Sequence, residues 1–154
     1  MQSNVCAKYS HQYWMSYAID LAKDVKDEIP ICALIVRDNK LISKAVNKTE
    51  ACFDVTAHAE IIAIREASKI LSNWRLNECT LYSTLEPCAM CTGAILNSRI
   101  SRLVFGAYDL NVGACGSAIN LPKDLNKQNQ IKIIGGIVEL EASKLLKDFF
   151  SLRR

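Results

Sequence analysis

The sequence predicts an α/β domain in which helices cover both faces of a mixed β-sheet. Apolar residues recur at helical spacing near both ends of the chain, and short apolar runs typical of buried strands lie between them. In the second half the predicted strands alternate with helices, which favours parallel pairing through right-handed crossovers. At 154 residues the chain can bury a complete core, so we expect a single domain over residues 1–154.

The first elements are an amphipathic helix and a β-hairpin. The helix is predicted over residues 11–28 and ends at Pro30, which disfavours a helical residue before it. Its apolar positions are Trp14, Ala18, Leu21 and Val25. Residues 31–36 form a continuous apolar run, as expected of a strand buried on both faces, and residues 41–47 return as its partner.

A loop over residues 48–55 leads into a second helix that runs to about Leu71. The later elements alternate along the chain: a strand over 79–84, a helix over 89–97, a strand over 102–106, a loop over 113–130, a strand over 131–134 and a helix over 138–152. Ligands of such folds bind at the carboxyl ends of the strands.

Composition favours a reducing compartment and excludes a membrane-spanning chain. The formal net charge is +3, which by itself indicates little about nucleic acid, and half of the residues are apolar, as a large core or a subunit interface would require. Seven cysteines form no regular framework, and the first residues lack a basic segment followed by an apolar run. We therefore expect a cytoplasmic protein. Five cysteines are predicted to be buried or incidental thiols: Cys6, Cys32, Cys52, Cys79 and Cys115.

Two short motifs supply the side chains of a metal site. The first contains His58 and Glu60, and the second, which begins at Pro87, contains Cys88 and Cys91. An imidazole and two thiolates are zinc ligands. Cysteines three apart in the first turn of a helix share one face, and the unpaired N–H groups there favour thiolates.

Three protein ligands leave one position of a tetrahedral zinc for water, as in catalytic sites. Glu60 is the candidate base that takes the proton of this water. Residues two apart diverge by about 200° in mid-helix, so His58 and Glu60 must lie in the first turn, with Thr56 near the N-cap. A structural zinc site or an inert cysteine pair is the alternative; a closed zinc site needs a further ligand, and the other histidine, His11, is distant in sequence.

The combination of His-x-Glu with a later Pro-Cys-x-x-Cys is the pattern of zinc-dependent nucleoside and base deaminases. The similarity extends along the chain, and its segments are residues 28–30, 56–60, 73–76, 84–91, 98–100, 104–107 and 148–150. The chain resembles bacterial tRNA adenosine deaminases of the TadA type, within the cytidine and deoxycytidylate deaminase superfamily.

This resemblance implies a three-layer α/β/α cytidine-deaminase-like fold with a five-stranded mixed sheet, and a homodimer with one Zn²⁺ per subunit. It implies conversion of adenosine to inosine at the wobble position of a tRNA anticodon stem-loop. The reaction would use a zinc-activated water, with Glu60 as the proton shuttle.

The resemblance also assigns substrate contacts. Asn47 matches an asparagine that contacts the target nucleoside, and Asp109 matches an aspartate near the ribose, where a 2′-hydroxyl would distinguish RNA from DNA. Phe149 is a candidate for lining the RNA path, and Arg153, with Arg154, for contacting phosphate. Each residue also has a structural alternative. Asn47 and Asp109 could stabilise turns, Phe149 could pack in the core of its helix, and the arginines could interact with the helix dipole.

The chain departs from the family pattern at Cys32, where relatives carry Gly, at Val55, where many carry Pro, and at Gln130, where His is common. Two other functions stay open: a deaminase of a free base or nucleotide, such as guanine or deoxycytidylate, and a catalytically silent zinc scaffold that binds RNA. The presence of Glu60 and the absence of a fourth ligand argue against the scaffold.

Overall fold

The computed structural model describes residues 9–153, which form a five-stranded mixed sheet with the order β2-β1-β3-β4-β5. The strands are β1 Cys32–Arg37, β2 Lys40–Val46, β3 Thr80–Leu85, β4 Arg102–Ala107 and β5 Lys132–Ile134. The β1 strand pairs antiparallel with β2 and β3, whereas β3, β4 and β5 are parallel. The predicted hairpin and parallel second half are thus confirmed.

Helices cover both faces of this sheet. They are α1 His11–Lys23, α2 Thr49–Cys52, α3 Ala59–Ile70, α4 Ala89–Asn97, α5 Leu121–Asp124 and α6 Glu139–Ser151. The core against α3 and α4 and the core against α1 and α6 lie on opposite sides of the sheet, which confirms the three-layer α/β/α prediction. No helix in this range is both long and apolar enough to cross a membrane.

The apolar run of β1 is explained by these two cores. Ala33 and Ile35 face α3, while Cys32, Leu34 and Val36 face α1, because successive strand residues point to opposite faces. All five are buried. On α3 the small residues that face the sheet recur at every fourth position: Ala59, Ala63 and Ala67. This spacing lets the helix lie close to the strands.

The prediction for the first helix was wrong at its end. The helix stops at Lys23, with Asp24 as its C-cap, and Pro30 does not terminate it. Asp27 has φ of 60°, a left-handed conformation that cannot continue a helix. The segment turns so that Glu28 is buried and accepts a hydrogen bond from the Ala51 N–H at 2.8 Å.

Two short helices occupy stretches that were predicted to be loops. α2 and α5 each contain 4 residues, too few for a helical period to be visible in sequence. The Asn120 side chain caps α5 by accepting from the Lys123 N–H at 3.2 Å. Both helices flank the carboxyl ends of the strands, where α3 and α4 begin.

Candidate active site

Three potential zinc ligands meet where α3 and α4 begin. His58 is the N-cap of α3, Cys88 is the N-cap of α4, and Cys91 lies in the first turn of α4. His58 Nδ1 is 3.7 Å from Cys88 Sγ and 3.5 Å from Cys91 Sγ. A tetrahedral zinc with bonds of about 2.0–2.1 Å to nitrogen and about 2.3 Å to sulfur separates such atoms by about 3.6 Å. The spacing therefore fits this ion, and no further histidine, cysteine or carboxylate in residues 9–153 joins the cluster.

The two thiols differ in acidity. A hydrogen bond from the Cys91 side chain lowers the pKa of Cys88 to about 5, with help from backbone N–H groups and His58 against the opposing effect of burial. The pKa of Cys91 is raised, first by that same bond to Cys88 and then by burial and by Glu60. Before metal binding the pair therefore holds one thiolate and one thiol, and a zinc ion that takes both as thiolates releases a proton.

Glu60 faces the ligand cluster from the first turn of α3. It is 4% exposed, and burial raises the pKa of its carboxyl despite the opposing effects of its own backbone N–H and of Ser83. Its Oε2 is 3.5 Å from Cys91 Sγ, and its Oε1 is 3.1 Å from the Ser83 hydroxyl. A buried carboxyl in this position can accept a proton from a group bound beside the cysteines and return it.

The cap of α3 differs from the sequence prediction. His58 itself is the N-cap, with φ of −72° and ψ of 150°. Thr56 lies before the cap, and its N–H and hydroxyl both donate to Asp54 Oδ1, at 2.8 and 2.7 Å. Because the helix begins between His58 and Glu60, the two side chains converge on one point.

A cavity of about 530 Å³ opens over this cluster. It is lined by His58, Glu60 and Cys88 together with Ile29, Ile31, Leu85, Glu86, Leu146, Phe150 and residues 108–112. A volume of a few hundred Å³ with an apolar wall and few polar groups is typical of a small-molecule site. A nucleobase fits such a space.

A second pocket, of about 560 Å³, adjoins the first and shares Ile29 and His58 with it. The predicted substrate residues Asn47, Phe149 and Arg153 line this second pocket. The structure therefore places these three residues around a pocket that also contains His58, whereas Asp109 lines the first cavity.

A larger cavity, of about 670 Å³, lies at the other end of the sheet, where Trp74, Arg99, Lys127 and Ile131 line it. Its lining contains no histidine, cysteine or carboxylate, so it lacks groups for metal binding or proton transfer. The smaller cavity over Glu60 is the one lined by groups that can bind a metal and transfer a proton.

Asn47 presents an unused acceptor. The side chain is 5% exposed, its Nδ2 reaches Thr49 Oγ1 at 3.4 Å, and its Oδ1 is buried without a hydrogen-bond partner among the described residues. Buried acceptors are normally paired. A donor on a bound nucleoside would satisfy this one.

Asp109 has a clear structural role. Its Oδ1 accepts hydrogen bonds from the N–H groups of Asn111 at 3.0 Å and Val112 at 3.1 Å, so it stabilises the turn that was its structural alternative. It also lines the catalytic cavity, which is the cavity of about 530 Å³ over His58, Cys88 and Glu60. Its proposed contact with a ribose stays a prediction.

The two phenylalanines of α6 divide between the pockets. Phe150 is 49% exposed and lines the catalytic cavity, whereas the half-buried Phe149 lines the adjoining pocket. The rings meet edge to face at 5.2 Å, and the guanidinium of Arg153 lies 4.2 Å from the Phe149 ring. Arg154 and Cys6 lie outside the described residues.

Two residues of the site were missed by sequence reasoning. Ser83 contacts Glu60. It is one of three hydroxyl-bearing residues besides Tyr82 in β3, so the sequence did not distinguish it. Glu86, which lies in the segment 84–91 that resembles the family, is 2% exposed and accepts hydrogen bonds from the loop that follows β4. A charged residue directly between a buried strand and Pro87 was its signal.

The fold and the His-Cys-Cys cluster beside a buried glutamate define a zinc-dependent deaminase. In agreement, residues 8–107 match the cytidine and deoxycytidylate deaminase zinc-binding region, and the chain belongs to that family.

Within this family the chain is similar to tRNA-specific adenosine deaminases. It is 45% identical over 143 residues to the tRNA-specific adenosine deaminase of Haemophilus influenzae, covering 91% of this chain and 83% of that protein. A solved structure of a tRNA:A34 deaminase, which edits A to I at the wobble position, has a TM-score of 0.78 and 38% identity, covering 86% of this chain and 97% of that one. Guanine deaminase from Bacillus subtilis is more distant, with a TM-score of 0.64 and 36% identity over 71% of each chain.

Proposed function

We propose that the chain hydrolytically deaminates adenosine to inosine at the wobble position of a tRNA anticodon. The observation that carries the proposal is the buried Glu60 carboxyl beside His58, Cys88 and Cys91, under a cavity that admits a nucleobase. The similarity to tRNA-specific adenosine deaminases over most of the chain supports tRNA as the substrate.

The donor set and its spacing fit zinc, one ion per subunit, held by His58 Nδ1 and the sulfurs of Cys88 and Cys91. When bound, zinc supplies a polarised water whose pKa falls to near 7. Glu60 accepts a proton from this water through Oε2, which faces Cys91, and delivers it to ring N1 of adenine. After the hydroxyl has added to C6, Glu60 would take the proton of that hydroxyl and give it to the amino group, which leaves as ammonia as the C6–N bond breaks. Ser83 holds the other carboxylate oxygen.

The substrate contacts follow from the two adjoining pockets. Asn47 offers its Oδ1 to a donor of the target nucleoside, and Asp109, which lines the cavity over Glu60, contacts the ribose. Phe149 and Arg153 line the path of the RNA, with the guanidinium available to a phosphate. The anticodon loop can present its target base splayed from the stack, as this chemistry needs.

We infer that the active form is a cytoplasmic homodimer. Phe53 is 97% exposed and Val55 is 76% exposed, and together they leave an apolar surface near the entrance to α3. Monomeric proteins seldom expose large apolar patches without a partner. The six cysteines in residues 9–153 are all free, which supports a reducing compartment.

The direct test is incubation with an in vitro transcribed tRNA that carries a wobble adenosine, followed by detection of inosine. We expect inosine at that position from the parent protein. Glu60→Ala should bind zinc as the parent does and lose turnover, because the ligands remain and the proton carrier is gone. Glu66→Ala, on the same helix but outside both pockets, is the matched control. Substantial activity in Glu60→Ala would contradict the assignment.

The similarity to a guanine deaminase makes a free base the second candidate substrate. Ammonia release from guanine, from deoxycytidylate and from an anticodon stem-loop distinguishes the two functions. We expect release from the stem-loop alone.

A further inference from the structure

Glu86 is a buried carboxylate that the proposed chemistry does not use. It directly follows β3, is 2% exposed, and its N–H donates to the Ala107 carbonyl at 2.8 Å. Burial of a charge is costly unless hydrogen bonds compensate for it. Glu86 lies next to Pro87 and the proposed ligand Cys88, so hydrogen bonds must compensate for the burial of its charge there.

The loop after β4 supplies that compensation. Glu86 Oε1 accepts from the N–H groups of Cys115 at 3.0 Å and Ser117 at 3.1 Å. Its Oε2 accepts from the Asp109 N–H at 3.1 Å and from the Ser117 hydroxyl. Hydrogen bonds to an ionised acceptor are roughly twice as strong as neutral ones. One side chain thus fixes both ends of the segment 109–117.

Gly113 shows how closely this segment is folded onto the carboxylate. A Cβ at position 113 would lie 2.5 Å from Glu86 Cδ and 2.4 Å from the Asp109 carbonyl oxygen. Neither approach is possible without movement of the loop or of Glu86. The Ala114 N–H also donates to the Pro87 carbonyl at 2.9 Å, which ties the segment to the turn that carries Cys88.

The held segment forms a wall of the catalytic cavity. Residues 108–112 all line it, and the wall exposes large apolar side chains: Tyr108 at 47%, Leu110 at 80% and Val112 at 58%. Because these side chains are largely exposed, burial of apolar surface does little to fix their position. The hydrogen bonds of the segment to Glu86 fix it instead.

We propose that Glu86 is a positioning residue for substrate binding: it holds residues 108–112 in place as an apolar wall against which the target nucleoside and its neighbouring bases pack. This inference rests on the proposed deaminase function of the same cavity. The hydrogen-bond partners of Glu60 within residues 9–153 are Ser83 and Cys91, and Glu86 bonds to neither. Glu86 also lines the cavity, but both of its carboxylate oxygens are bonded to donors of the loop. We therefore expect a change at Glu86 to act on the KM for RNA rather than on kcat.

The first variant is Glu86→Gln, which keeps the shape but replaces one acceptor oxygen by a donor that opposes the loop N–H groups. We expect the KM for an anticodon stem-loop to rise about tenfold or more, the equivalent of one lost charge-assisted hydrogen bond. We expect kcat to stay within about threefold of the parent, and bound zinc per chain to stay unchanged.

Two further variants weaken the contact between the segment 109–117 and Glu86 without changing Glu86 itself. Gly113→Ala displaces the segment from the carboxylate and should raise KM as Glu86→Gln does. Ser117→Ala removes one of the four bonds and should raise KM less. Ser43→Ala is the matched control, because it also removes one buried hydroxyl bond, to the Ala63 carbonyl at 2.8 Å, far from the wall. It should leave KM unchanged.

The outcomes separate the alternatives. Unchanged KM in Glu86→Gln and Gly113→Ala, or a fall of kcat that accompanies zinc loss, would overturn the proposal; the second result would mean that Glu86 only supports Cys88. If Glu86→Gln does not fold, Gly113→Ala and Ser117→Ala decide. A parent protein that deaminates no RNA would refute the proposed function instead, so the two failures are distinct.

Discussion

At the scale of residues, the site depends on where one helix begins. His58 is in an extended conformation as the N-cap, and Glu60 is in the first turn, so two side chains that diverge in mid-helix meet here. The meeting of His58, Glu60, Cys88 and Cys91 was predictable because their chemistry is rare and the spacing within each motif is short, while their roles stay predictions. The N-cap position of α3 and the contact of Ser83 with Glu60 were not predictable, because both depend on packing between elements.

The unpaired Oδ1 of Asn47 gives the first prediction at this scale. Asn47→Ala should lower kcat/KM for an anticodon stem-loop by about tenfold, the loss of one neutral hydrogen bond to substrate. Thermal stability should change little, because Oδ1 has no protein partner within residues 9–153 and the Nδ2 bond to Thr49 is long at 3.4 Å. Ser43→Ala, which removes a buried hydroxyl bond outside both pockets, is the control and should leave kcat/KM unchanged. An unchanged kcat/KM would mean that Asn47 only stabilises a turn and does not contact the substrate.

The buried thiol of Cys32 gives a prediction about alkaline stability. Burial raises the pKa of Cys32 from 9.0 to about 12, against a smaller opposing effect of Lys44. A raised folded-state pKa contributes stability below pH 9.0 that is lost as pH rises toward about 12. Cys32→Ala should therefore lose less stability than the parent between about pH 8 and about pH 11, measured by urea unfolding. Cys52→Ala, at an exposed position, should follow the parent curve; parallel curves for parent and Cys32→Ala would contradict the prediction.

At the scale of elements, the sheet and the long helices follow from periodicity and the short helices do not. β1 was predictable because both of its faces are buried, and α4 because Pro87 precedes it and an apolar run follows. α1 was predicted too long, since its charged end continues the helical pattern while Asp27 adopts positive φ. The two 4-residue helices form through caps and tertiary contacts.

The zinc ligands join α3 to α4, which gives a prediction for metal removal. Zinc at about 100 times its Kd stabilises the folded state by about 2.7 kcal/mol, so a chelator should lower the Tm by about 5–10 °C at neutral pH. One proton, on Cys91, already competes with zinc at neutral pH, because the pKa of Cys91 is raised. The pKa of Cys88 is lowered to about 5, so a second proton competes as pH falls through that value. The chelator effect should therefore shrink near pH 5, as differential scanning fluorimetry can measure. Cys88→Ala should show a smaller effect at both pH values, and equal chelator effects in parent and variant would contradict a ligand role.

At the scale of the whole molecule, the chain carries an exposed apolar surface that a single copy does not bury. Phe53 has φ of 51° and ψ of 41°, a left-handed conformation that is strained for a bulky residue, and its ring is almost fully exposed. The three-layer architecture and the place of the site at the carboxyl ends of the strands were predictable from alternation alone. The exposure of Phe53 was not predictable, because an apolar residue in sequence does not reveal whether the fold buries it.

The proposed homodimer gives the last prediction. Phe53→Ser should shift the protein toward monomer in analytical ultracentrifugation at micromolar concentration, because it removes apolar surface from the interface. Leu140→Ser, on α6 at a site that is 83% exposed, is the matched control and should leave the oligomeric state unchanged. A monomeric parent would contradict the dimer, and a dimeric Phe53→Ser protein would place the interface elsewhere.

The beginnings of α3 and α4 together carry the three proposed ligands and the proton carrier, while the wall of residues 108–112 and the α6 side chains Phe149 and Phe150 surround them. Reactive groups and recognition groups are thus separable in this architecture. Selection for a new nucleic-acid target can rebuild the surroundings one position at a time, while the machinery that breaks the carbon–nitrogen bond is inherited intact.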